Sequence, residues 1–188
     1  MLVNINKTNF GKEDILNQVY MLFDEVNDVE AKNICEWIIS ANHAPMEERP
    51  DVLTLFINSG GGSINAAWAI IDCMRGSSIP VRTIGLGGIA SAGVLIFMAG
   101  EKGMRFLTEH TSVMTHQFGW GTIGKYHELM SSTVEYTNIQ KRLLDFMSKC
   151  TGLTKEDVQT KLMPSSDVWL TAKEALSLGI CDAVKSLK

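Results

Sequence analysis

Residues 51–75 read D-V-L-T-L-F-I-N-S-G-G-G-S-I-N-A-A-W-A-I-I-D-C-M-R, and the order of their parts sets the fold class. The opening D-V-L-T-L-F-I-N is almost continuously apolar, which suits a strand covered on both faces. Three glycines then break the run. The continuation S-I-N-A-A-W-A-I-I-D-C-M-R reads as a helix, and I-P-V-R-T-I-G-L (79–86) as a second β-rich run. Strand, turn, helix, strand is the order of a parallel crossover unit, so an α/β fold is expected.

Upstream, E-D-I-L-N-Q-V-Y-M-L-F (13–23) mixes helical and strand signals, while Val29 to Ala41 sets Ala31, Ile34, Trp37 and Ile38 near helical spacing. Residues 43–50, H-A-P-M-E-E-R-P, hold two of the four prolines and read as a loop. Downstream, G-G-I-A-S-A-G (87–93) leads into the apolar V-L-I-F-M-A, a second small-residue turn entering a buried helix. M-R-F-L (104–107) and T-S-V-M-T-H-Q (111–117) read as short strands. Between Gly124 and Cys150 there is no proline or glycine, and Leu129, Val134, Ile139, Leu143 and Phe146 supply intermittent apolar points. One helix of about 40 Å fits this stretch. A domain of this size does not easily enclose such a helix, so it is expected to project and pack on another subunit, with Leu143→Asp separating the subunits. The segment L-T-A-K-E-A-L-S-L-G-I-C-D-A-V (170–184) reads as a short strand, a helix capped at Thr171 and stopped at Gly179, and a closing strand.

The 188 residues, 45% of them hydrophobic and 20% charged, suit one globular domain over 1–188 with a short arm at 1–13. A net charge of −4 without a basic cluster sets nucleic acid aside. No run approaches the ~20 apolar residues of a membrane span. The first ten residues carry neither a basic n-region nor an apolar h-region, so a cytoplasmic location is expected. Cys35, Cys73, Cys150 and Cys181 form no C-x-x-C pair, which argues against a zinc knuckle or redox motif.

Both glycine turns place small residues between a strand and a helix N-terminus. In N-S-G-G-G-S (58–63) backbone N–H groups can face outward where a Cβ would obstruct, beside the positive end of a helix dipole. Such a turn suits a phosphate or a developing oxyanion. A Walker loop needs G-K-[ST], whereas Ile64 follows Ser63, which disfavours phosphate. Ser91 offers the other chemistry, but a hydroxyl needs a base, and the base an orienting acid. Of four histidines, His43, His110 and His127 fall in loops or on the long helix, while His116 ends a strand. Taken alone, His116 reads more readily as a structural histidine than as a base, and small residues around Ser91 also serve tight helix packing.

Four ordered stretches, I-N-S-G-G-G-S, G-I-A-S-A-G, V-M-T-H-Q and S-D-V-W-L-T-A-K-E-A-L-S-L-G-I-C-D, resemble the caseinolytic protease ClpP family across about residues 20–184. The resemblance implies a ClpP/crotonase-like α/β fold, with a parallel-rich sheet flanked by helices and a projecting handle helix at about 124–150. It implies a serine endopeptidase in which Ser91 is nucleophile, His116 general base and Asp167 the orienting carboxylate. Asp157 and Asp182 are nearby in sequence, and the D-V-W-L-T-A context singles out Asp167. An oxyanion hole from Gly62 and Ala92, with Gly61 beside them, is implied too. So are stacked heptameric rings, a tetradecamer, that enclose a chamber for peptides or unfolded proteins. No metal or organic cofactor is implied, and a separate AAA+ unfoldase would use the ATP.

Gly60 and Phe118 stand where the family commonly has proline, and G-W-G-T-I-G-K after Phe118 matches the family poorly. At the surface pockets that receive unfoldase loops, Phe56 and Phe106 keep aromatic character. Thr54, Gly76 and Thr108 fall where larger apolar residues are common. A specialised, ATPase-independent protease of the phage-maturation kind is therefore an alternative. Others are a modulatory subunit paired with an active paralogue and, with carboxylates as acid and base, an acyl-CoA hydratase-like enzyme.

Overall fold

The computed structural model describes residues 18–187, so the arm expected at 1–13 lies outside them. The buried run after Asp51 forms β2 (Leu53–Ile57), flanked by β1 (Val19–Leu22) and β3 (Val81–Gly85). With β5 (Arg105–Leu107) and β8 (Ala183–Val184) they make a sheet in the order β1-β2-β3-β5-β8, every pair parallel. Helix α1 (Asp28–His43) starts at Asn27, whose side chain accepts the Glu30 N–H, and α2 (Ile64–Gly76) starts at Ser63, which accepts from Ala66. Each cap supplies an acceptor to a helix end that otherwise lacks one.

α1 and α2 pack on each other. Ile34, Ile38, Ile70 and Ile71 join Leu53, Leu55 and Ile57 in one buried core. The register runs Met21, Phe56, Ile84, Phe106, Ala183 across the five strands. Ile84 and Phe106 form a second, smaller cluster there, with Phe56 packed against it.

A second sheet was not anticipated. β4 (Gly88–Ala90), β6 (Ser112–Thr115) and β7 (Val168–Thr171) lie in that order, with β4 and β6 parallel and β6 and β7 antiparallel. The small residues before Ser91 thus form strand as well as turn. Helix α3 (Ala92–Met98) is buried along its whole length. The long helix α4 (Tyr126–Thr151) has 26 residues, about 39 Å at 1.5 Å per residue.

The two halves of α4 differ. Ile139, Leu143, Phe146 and Met147 are buried in the subunit's own core, while Tyr126, Leu129, Met130 and Val134 are exposed. The expectation that Leu143→Asp would part subunits is therefore corrected: at 4% exposure, Leu143 holds its own fold together. The far end of α4 is tied down by Arg105, whose Nη1 donates to the Cys150 carbonyl at 2.9 Å. Short helical turns at Lys155–Asp157 and Val158–Leu162 lead to β7, and α5 (Ala172–Ser177) follows, with Thr171 and Glu174 in a reciprocal cap.

Candidate active site

Ser91 joins β4 to α3 with φ 53° and ψ −123°. It is the one non-glycine residue at positive φ among those described. Such a backbone costs about 1–3 kcal/mol and persists only where neighbours enforce it. Here the Ser91 N–H donates to the Met114 carbonyl at 3.0 Å, the Ala90 N–H to the Ser59 carbonyl at 2.9 Å, and Val94 N–H to the Ser91 carbonyl at 3.0 Å. The β4–β6 pairing and the start of α3 together hold the hydroxyl at the head of a buried helix.

His116 follows β6 directly, and its Nε2 stands 2.7 Å from Ser91 Oγ. The β6–β7 register supplies the third group. Thr115 pairs with Val168, so the next antiparallel step sets Asp167 opposite His116. Nδ1 of His116 and Oδ1 of Asp167 are 4.0 Å apart, longer than a hydrogen bond, and the two side chains are 34% and 59% exposed. The other nearby carboxylates are occupied elsewhere. Asp157 contacts Lys161 and Thr154, and Asp182 contacts Arg105.

The glycine turn lies against the serine turn. A Cβ on Gly61 (φ 94°) would sit 2.8 Å from the Ala90 carbonyl oxygen and from Ser91 Cβ, and 2.9 Å from the Ala92 nitrogen. A Cβ on Gly62 (φ 145°) would overlap the Val26 carbonyl. Bulk is thus excluded on both sides. The bridge between this turn and Val26 uses the N–H groups of Val26 and Ser63, and the Gly62 N–H has no backbone partner among the described residues. Ala92 opens α3, where helix geometry leaves its N–H without an intrahelical partner. Gly62 and Ala92 both line the cleft beside Ser91. Gly61 differs: its N–H donates to Ser59 Oγ at 3.2 Å.

The cleft holds about 270 Å³. Ile64, Val94, Leu95, Leu143, Met147 and Met163 give it apolar walls, and Phe118 stands beside His116. Phe118 in turn packs on Trp120 and on Tyr136 of α4, with ring centroids 5.8 and 5.9 Å apart. Sequence patterns did not point to these wall residues, because well-separated segments contribute them. Among the described residues no group of three or more His, Cys, Asp or Glu side chains gathers as a metal site, and no helix is long and apolar enough to cross a membrane.

The Clp protease family profile matches residues 11–188. This chain belongs to the Clp protease family. It is 33% identical over 169 residues to the ATP-dependent Clp protease proteolytic subunit 1 of Leifsonia xyli, covering 90% of this chain and 83% of that protein. Its identity to the proteolytic subunit 2 of Thermobifida fusca is also 33%, over 167 residues, covering 89% and 80%. Among solved structures, a point mutant of ClpP1 from Listeria monocytogenes superposes with a TM-score of 0.81 at 25% identity, covering 94% of this chain and 96% of that one. The ClpP fold and membership of a peptidase family follow.

The positions expected to receive an unfoldase lie away from the cleft. Thr54 is buried, Phe56 half-buried, and Gly76 exposed at the end of α2. Phe106 carries the Lys185 ammonium 4.1 Å above its ring, and Thr108 Oγ1 is hydrogen-bonded to Thr111 Oγ1.

Proposed function

We propose that the protein is a serine endopeptidase of the ClpP type that cleaves peptides or unfolded proteins. The 2.7 Å contact between His116 Nε2 and Ser91 Oγ, on a backbone strained to present that hydroxyl, carries the reading. His116 takes the Oγ proton as Oγ attacks the substrate carbonyl, and the resulting oxyanion is met by the Gly62 and Ala92 N–H groups. The C–N bond then breaks, His116 gives the proton to the leaving amine, and the acyl group remains on Ser91. Water, deprotonated by His116, releases the acid and restores the serine. Asp167 steadies the imidazole. From 4.0 Å its Oδ1 has to close by about 1 Å to accept the Nδ1 proton, and catalytic hydrogen bonds commonly tighten in this way once substrate is bound.

The exposed half of α4 supports assembly into stacked heptameric rings that enclose these sites. Four free thiols suit a reducing compartment such as the cytoplasm. ATP would be spent by a separate AAA+ unfoldase, because the glycine turn lacks a Walker lysine. Thr54, Gly76 and Thr108 at the docking positions favour a weakened unfoldase contact, and with it a specialised protease that works without one.

Fluorophosphonate labelling read by intact mass tests the chemistry. One adduct per wild-type chain and none in Ser91→Ala is the expected result. An assembled, folded wild type that takes no adduct would refute the triad and leave the modulatory-subunit reading.

A further inference from the structure

The walls of the cleft are not held equally firmly. Val94, Leu95, Leu143, Met147 and Met163 belong to the buried core, each 6% exposed or less. Phe118 is half-buried, two residues past His116, and lies outside any helix or strand. Among the described residues no backbone–backbone hydrogen bond engages residues 117–124. Gly119 and Gly121 sit in this segment although a Cβ on either would meet nothing within 4 Å and neither has a positive φ. Glycines that neither space nor φ requires leave the backbone loose. Rings hold it instead. Phe118 packs on Trp120 at 5.8 Å and on Tyr136 at 5.9 Å, inside the roughly 4.5–7 Å range of favourable aromatic pairs. Trp120 belongs to the same loose segment, so of the two rings it is Tyr136, on α4, that ties Phe118 to a regular element.

We propose that Phe118 is a specificity-determining residue, the outer wall that limits the size of the substrate side chain entering the cleft, and that Tyr136 is the positioning residue that keeps it there. This assignment rests on the peptidase reading and adds to it a size limit at the residue that supplies the scissile carbonyl. The volume, about 270 Å³, lies just below the range of pockets built for whole small ligands and fits one side chain. The core walls cannot yield without opening voids in a close-packed interior, so the limit is set where the half-buried ring stands. That ring lines the cleft together with His116 and Ser91, so the limit acts beside the reacting carbonyl. Through the Phe118–Tyr136 contact, α4 reaches substrate selection from outside the cleft.

The test measures kcat/KM for two peptides identical except for Trp or Leu before the scissile bond. The Trp:Leu ratio cancels the amount of active enzyme, so lost stability alone does not move it. Phe118→Ala is expected to raise the ratio by about tenfold or more, since a single methylene in an apolar pocket is worth about 10- to 200-fold. Tyr136→Ala should raise it in the same direction by a smaller factor, and Tyr136→Phe, which keeps the ring, should hold the wild-type ratio. The same ratio in wild type and Phe118→Ala overturns the size limit while leaving the peptidase reading intact, and the same ratio in wild type and Tyr136→Ala removes the positioning role. Should Phe118→Ala not fold, Phe118→Leu decides: a smaller rise supports the size limit, and an unchanged ratio overturns it. A wild type that neither labels at Ser91 nor cleaves either peptide ends both readings.

Discussion

Gly61→Ala probes the joint between the two turns. The new Cβ would lie 2.8 Å from the Ala90 oxygen and from Ser91 Cβ, against at least 3.4 Å for ordinary contact, so one turn must move by about 0.6 Å. The backbone at φ 94° adds a left-handed penalty of roughly 1–2 kcal/mol for any residue with a Cβ. Together these should lower the melting temperature by several degrees, at about 2–4 °C per kcal/mol for a domain of this size. The loss of activity should be far larger. A 1 Å misplacement costs about 10²-fold and loss of an oxyanion donor about 10²–10³-fold, so acylation should slow by between ~10 and ~10³. Gly60→Ala is the control, because a Cβ there meets nothing within 4 Å and its φ is not positive. The assay is the rate of fluorophosphonate labelling at Ser91 beside a thermal melt for each variant. If Gly61→Ala labels as fast as Gly60→Ala, the two turns are not rigidly apposed and the reasoning fails.

Two further outcomes are expected. Burial pushes the Asp182 carboxyl up, but hydrogen bonds from the Arg105 side chain and from the Arg105 and Gly103 N–H groups hold it below the usual carboxylate range. Its contribution to stability is therefore full above the ordinary carboxylate pKa and disappears as pH falls through the lowered folded value. Asp182→Asn should cost about 3–5 kcal/mol near pH 7, since it strands a buried guanidinium, and the gap from wild type in denaturant melts should close toward pH 2. A gap that stays constant with pH would refute the linkage. On the proposed stacking of rings through α4, Val134→Asp, at a site 62% exposed, should separate them in sedimentation while each subunit stays folded, whereas Leu143→Asp should unfold the subunit. An unchanged sedimentation profile for Val134→Asp would count against ring contact through this half of the helix.

The parts of the fold that were legible in the sequence are those with local causes. The run 53–57 is apolar enough to be a covered strand, and Thr171 with Glu174 marks a helix start through its own side chains. Ser91 and His116 lie at the ends of elements, which made them candidates, but by themselves they read as packing and structural residues, and the family resemblance assigned their roles. Asp167 came from a family pattern, and what sets it opposite His116 is the β6–β7 register, a pairing between segments more than fifty residues apart. The three-stranded sheet was hidden too, since β4 is only three residues, Gly88–Ala90, inside a glycine- and alanine-rich stretch that looks like part of a turn. Leu143 was misread for a related reason. Along α4 only partners elsewhere in the chain decide which apolar points face inward, and they cover the second half alone.

The left-handed backbone at Ser91 makes function and stability compete at one residue. Alanine in its place removes the proposed nucleophile but keeps the strain, because the penalty belongs to any side chain with a Cβ at φ 53°. Glycine removes both. The glycine variant would be inert and yet sturdier than the enzyme it came from, so a screen for thermal robustness alone would drift toward losing the hydroxyl.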